Sequence, residues 1–291
     1  MQQHPNKHTY PLLLVLLFLP LSASGEELIV RHVAKESSKD LRNGYFIELM
    51  ELALSKTQSE FGTFRLEPSD RYMQQSRVIA DVISQRSLDI VWTMTSIERE
   101  KHLHPIRIPL LKGLLGYRIF IIRKEDQDKF NKVSNKADLS KLIAGSGHDW
   151  PDRVILESNG LTVETSATYD GLFKMLALQR FDFLPRGANE IWSELDTLKN
   201  SQLTFEKKLL LYYPAAIYFF TSKKNKALAD RIEKGLERSI ADGSFERHFN
   251  NHPDIKRVIK QGNLHNRVRI TLKNPLLPKE TPLNNAQLWY K

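Results

Sequence analysis

Arg99 follows the apolar run Leu88-Asp89-Ile90-Val91-Trp92, with Ser96 between them. A guanidinium just past a strand end can grip a carboxylate through two parallel N–H···O bonds, a geometry that lysine does not reproduce. Ser96 would add a hydroxyl, and a helix starting there would add bare N–H groups with partial positive charge. The same spacing also suits a plain surface pair of Arg99 with Glu98 or Glu100. A second donor set lies in Gly145-Ser146-Gly147-His148, read as a turn before a helix opened by Pro151. There Ser146, Gly147 and His148 offer backbone and side-chain donors, although an ordinary helix entry would look alike. Tyr72, Trp92 and Trp150 are candidate aromatic walls, or simply core. Arg186 is a second cation, beside Gly187 and close to Glu190.

Other chemistries lack their residues. The chain of 291 residues has no Cys, which excludes disulfides, a thiol nucleophile and a Cys-ligated metal. There is no His-Glu-x-x-His and no phosphate-binding Gly-Lys-Ser loop, and Ala144 stands where a Gly-x-Ser-x-Gly motif around Ser146 needs glycine. The pairs His102/His104 and His248/His252 have no third ligand at convincing spacing, so no metal, cofactor or catalytic residue is assigned. The formal charge of +9 suggests nucleic acid until it is located. Residues 254–291 hold eight Lys or Arg against Asp254 and Glu280, which leaves residues 26–253 close to neutral with mixed charges. That body lacks the broad basic surface that phosphate backbones require, so no nucleic acid partner is expected.

The elements that must position these groups alternate. Leu28-Ile29-Val30, Phe64-Arg65-Leu66 and Leu88–Trp92 read as strands, separated by helices bearing Phe46, Leu49, Met50, Ala53 and then Val78, Ile79, Val82. This βαβαβ order predicts a mostly parallel sheet flanked by helices. Tyr117, Ile119 and Ile121 start a second set: strand 142–144, helix 151–158 stopped by Gly160, strand 162–163, a helix with Leu172, Met175 and Leu176, and strand 181–184. The run Leu209 to Phe220, broken by Pro214, looks like a bridge between two bodies. Leu228, Ile232, Leu236 and Ile240 mark a last amphipathic helix. Beyond Pro253 the composition turns basic and Pro-rich, and an extended tail on the body is expected, with Trp289-Tyr290 as a docking point.

The N-terminus is read as an address. Lys7, the apolar run Leu12–Leu19 and the small residues Ser22-Ala23-Ser24-Gly25 predict an export signal cleaved near 24–25. A cysteine-free exported chain fits the periplasm.

The segment Leu88–Arg99 resembles a motif of the family 3 periplasmic solute-binding proteins, the binding components of polar amino acid ABC transporters, with Ser96 and Arg99 at its two polar places. Gly145–His148, Ala177–Asp182 and Ile240–Phe245 are similar to later steps of the same pattern, and together the likeness covers about residues 26–250. The resemblance implies a type II two-lobed α/β fold, each lobe a mostly parallel sheet, joined by two crossover strands. The implied division is a signal at 1–25, lobe 1 at 26–110 and 216–252, lobe 2 at 111–215, and the basic tail at 253–291. It also implies a monomer without enzyme activity that closes on a small polar solute and meets an ABC permease. A sensory receptor is the alternative partner, and a dehydratase-like enzyme the alternative activity. Relatives that hold an α-amino group carry an acid where Gly187 stands here, which argues against an ordinary α-amino acid.

Overall fold

Strands form where β-branched and aromatic residues run together, and helices form where apolar residues return every third or fourth position. The computed structural model describes residue 1 and residues 27–35, 43–198 and 202–290. The expected export signal, Met1 apart, lies outside the described residues. Among the described residues no helix is long and apolar enough to cross a membrane.

The chain has a mixed α/β architecture in two lobes. In lobe 1, β1 (Leu28–His32) pairs in parallel with β2 (Phe64–Pro68), placing Val30 opposite Leu66. The Asp89 carboxylate ties β1 to β3 (Ile90–Met94), accepting from Arg31 N at 2.8 Å and Arg31 Nε at 2.9 Å. Between β3 and β4 (Leu103–Ile106) lies β11 (Ile217–Ser222), antiparallel to both. Helices Gly44–Ser55 and Lys226–Ala241 pack together over this sheet. Gly235 permits that approach, since a Cβ there would lie 2.0 Å from Ala53 O.

In lobe 2 the central strand is β5 (Tyr117–Arg123). It pairs antiparallel with β8 (Leu184–Gly187), β9 (Leu203–Phe205) and β10 (Leu209–Tyr212). β6 (Ile143–Gly147) and β7 (Thr162–Ser166) run parallel beside them, joined by the bridge between Ala144 and Phe183. The chain crosses between lobes at 107–116 and returns at 213–216. These segments touch where Tyr213 N donates to Gly116 O at 3.2 Å, and a Cβ on Gly116 would lie 2.2 Å from Tyr213 O.

The sheets are mixed rather than mostly parallel, because β11 and β5 run against the strands beside them, and three local expectations also change. Gly145-Ser146-Gly147 is not a turn but the end of β6, paired with Glu164, Thr165 and Ser166. Its glycines make room for rings: a Cβ on Gly145 would meet Phe181 at 2.3 Å, and one on Gly147 would meet Trp150 at 2.5 Å. The strand expected at 181–184 begins at Leu184. Residues 253–290 do not simply lie extended on the body. They supply the helix Pro253–Gln261 and β12 (Val268–Thr271), which extends the lobe 2 sheet beside β10. Part of the basic surplus is used inside. Arg267 is 7% exposed and donates to Gly262 O, Glu206 O and Leu209 O, while the exposed Arg269 stacks 3.7 Å from the Tyr212 ring centroid.

Candidate functional site between the lobes

β3 delivers the first half of the site. It ends at Met94, and Ser96 then caps the helix Ile97–His102, its Oγ accepting from Arg99 N at 3.1 Å. That geometry turns the Arg99 side chain back along β3. Arg99 Nη1 donates to Thr93 Oγ1 at 2.6 Å and Met94 O at 2.8 Å, and Nη2 donates to Gln75 Oε1 at 2.6 Å. All three acceptors are neutral. Glu98 instead pairs with Lys101 and His102, and Glu100 pairs with Arg107, so the plain surface pair is not formed. Among the described residues no carboxylate lies within 4 Å of the Arg99 guanidinium. Burial pulls its pKa down to about 10, while Asp149 and Asp152 push the other way, so the group keeps its charge at neutral pH.

β5 and β8 deliver the second half, and here each cation has an acid. Arg118, 2% exposed, meets Asp152 Oδ1 at 2.6 Å and lies 5.3 Å from the Tyr213 ring centroid. Tyr213 Oη donates to the same Asp152 oxygen. Burial disfavours the Arg118 charge, but Asp152, Tyr213 and Glu190 outweigh it, and its pKa rises. Arg186 donates from Nε to both oxygens of Glu194 at 2.9 Å and from Nη2 to Oε1 at 2.6 Å. Its guanidinium sits 4.6 Å from the Trp150 ring centroid, a cation–π contact. Glu190 Oε2 lies 3.1 Å from Arg186 Nη2 and accepts from Gly187 N at 2.9 Å. A Cβ on Gly187 would come 3.0 Å from that oxygen, so the Glu190 carboxylate fills the space a side chain at 187 would take.

These groups face a shared cavity of about 200 Å³. Lobe 1 lines it with Tyr72, Gln75, Trp92, Thr93 and Arg99. Lobe 2 contributes Arg118, Trp150, Asp152, Arg186 and Glu190. Across the cleft, Ser76 N donates to Asp149 Oδ2 at 3.3 Å. Among the described residues no cluster of three or more His, Cys, Asp or Glu could hold a metal ion.

No protein-family model matches the chain, and no curated protein matches it by sequence. Solved structures do match in shape. An ancestral arginine-binding protein bound to glutamine has a TM-score of 0.58 at 16% identity, over 77% of this chain and 96% of that one. A Salmonella typhimurium periplasmic binding protein with high arginine specificity has a TM-score of 0.56 at 15% identity, over 77% and 97%. An ancestral amino acid-binding protein, described as a precursor of cyclohexadienyl dehydratase, has a TM-score of 0.55 at 14% identity, over 77% and 94%. The fold is that of a two-lobed solute-binding protein.

Within this solute-binding fold the cavity brings together five of the residues singled out from sequence: Tyr72, Trp92, Arg99, Trp150 and Arg186. The other four lie outside its lining. Ser96 is spent as a helix cap, Ser146 is 1% exposed with Oγ directed to Gly147 O at 3.3 Å, and His148 is exposed. Gly147 lines a smaller adjoining hollow of about 90 Å³, together with Tyr72, Asp149 and Trp150. Sequence reasoning missed Arg118, Asp152 and Gln75. The available signal was Arg118 itself, a charge inside the strand Tyr117–Arg123 ahead of the apolar run Ile119–Ile122.

Proposed function

We propose that this protein is exported to the periplasm and captures a small carboxylate-bearing solute between its lobes by hinge closure, for delivery to an ABC permease. One observation carries the reading: Arg99 is partly buried at a cavity wall, is held in place by three neutral acceptors, and among the described residues has no carboxylate of its own. A buried cation costs free energy unless paired, so a ligand carboxylate is its natural complement. The size agrees, because about 200 Å³ is below the roughly 300–1,000 Å³ of pockets for drug-sized ligands. Aromatic faces at Tyr72, Trp92 and Trp150 would shed water from the rest of the solute.

Arg186 plays a different part from Arg99 in this reading. Glu194 already neutralises it, so it orients the pocket wall rather than holding a second anion. Glu190 supplies a carboxylate in the space beside Gly187, which readmits a ligand that also carries an ammonium group. The protein would act as a monomer and release its solute chemically unchanged.

Native mass spectrometry of protein purified without refolding should reveal a retained small molecule. A thermal-shift panel of glutamine, arginine, succinate and neutral sugars should then show stabilisation by a carboxylate compound and none by sugars. Stabilisation by sugars alone, or turnover of the retained molecule, would overturn the reading.

A further inference from the structure

After β12 the chain does not end on lobe 2. Asn274 Nδ2 donates to Pro214 O at 2.9 Å, on the returning crossover. Leu276 O then accepts from Ile97 N at 2.8 Å, at the start of the lobe 1 helix that carries Arg99. Farther on, Tyr290 N donates to Lys112 O at 2.7 Å, on the outgoing crossover. The Trp289 ring covers Gly113, where a Cβ would fall 2.3 Å from it. The Tyr290 ring lies 5.9 Å from Tyr117, 6.3 Å from His265 and 6.5 Å from Phe249, between centroids. Tyr117 opens β5 in lobe 2, and Phe249 belongs to the helix Ser244–Asn251, which packs against the lobe 1 helix Lys226–Ala241. One segment therefore grips lobe 1, lobe 2 and both connections between them.

We infer that residues 272–290 form a strap across the hinge that limits how far the lobes open, and thereby regulates entry to and release from the cavity. The inference rests on the two-lobed fold and deepens the solute-capture reading. Rotation of one lobe about 107–116 and 213–216 moves Tyr117 and Lys112 relative to Phe249 and Ile97. Any wide opening must break the Tyr290 cluster or the Leu276–Ile97 bond. Hinge motion normally needs only a few unencumbered residues to change conformation. Here those residues are covered. An opened state that loses these contacts is disfavoured relative to the closed one and becomes a minor population.

The absence of Cys allows a direct test. Arg86→Cys in lobe 1 and Glu164→Cys in lobe 2 are exposed sites for nitroxide labels, whose separation is read by pulsed electron paramagnetic resonance with no solute added. The full chain should give one narrow distance. Trp289→Ala with Tyr290→Ala, and separately a chain ending at Asn284, should add a longer-distance population of a tenth of the molecules or more. A broad distribution in the full chain, or an unchanged one in folded variants, would overturn the strap. Should either variant fail to fold, hydrogen exchange on the intact chain decides. The amides of Leu114, Gly116 and Tyr213 should be protected, and exchange at exposed-loop rates would sink the inference. With any retained solute first removed by unfolding and refolding the labelled proteins, no solute enters these measurements, and their failure leaves the carboxylate reading standing or falling by its own panel.

Discussion

The two walls of the cavity treat arginine in opposite ways. In lobe 1, Arg99 is held by a hydroxyl, a backbone carbonyl and an amide. In lobe 2, Arg118 and Arg186 are locked to Asp152 and Glu194. Neutral acceptors orient a guanidinium without cancelling its charge, whereas a buried carboxylate consumes it. The same side chain is thus poised for a visitor on one wall and built into the wall on the other. The distinction lies first in the partner, and burial follows it: Arg118 and Arg186 are buried, whereas Arg99 is half-buried.

The largest effect should come from breaking the built-in pairs. Arg186→Met strands Glu194, which is 2% exposed, and should lower unfolding stability by roughly 3–5 kcal/mol, read by urea denaturation. A loss below about 1 kcal/mol would mean that the pair is not structural. Next, Arg99→Met should change unfolding by less than about 1 kcal/mol yet weaken binding of the retained solute by at least roughly 100-fold, or about 2.7 kcal/mol. Arg99→Lys should recover only part of that affinity in isothermal titration, because the fork is lost.

A weaker contrast concerns acid. Burial lowers the pKa of His32 and of His248, both in lobe 1. The unfolded chain then takes up protons below about pH 6.5 before the folded one does. Their contribution is fully present above that pH and is lost as pH falls toward the depressed folded values. Measured relative to the intrinsic exchange rate at each pH, protection in β1 and the helix Gly44–Ser55 should therefore fall between pH 7.5 and 5 more than in β5, and an equal fall would remove the contrast. Smallest of all, His148→Ala should leave stability within about 0.5 kcal/mol and affinity unchanged, since the side chain is exposed and outside the main cavity. A clear loss of affinity would return the end of β6 to the site.

The lobes and Arg99 were legible because their signals are local. Apolar runs at strand and helix periods build the sheets, and Arg99 sits three residues from its own cap. Arg118 was not legible. It lies in a strand buried on both faces, and its acid comes from the separate helix Pro151–Ser158. Gly145 and Gly147 misled for a related reason, since glycine marks a turn in isolation and a place for a ring in context. β12 escaped because four residues carry little periodicity, and prolines nearby signalled an extended tail. What local sequence hides is which distant segment will arrive alongside.

The position of β11 has a consequence for how the molecule is made. It is the middle strand of the lobe 1 sheet, yet it is synthesised after nearly all of lobe 2. An emerging chain therefore carries β3 and β4 with no partner between them until about residue 222 has appeared. Two exposed ladder edges must wait out the birth of an entire neighbouring body, a delay in which sticking to other chains competes with completion.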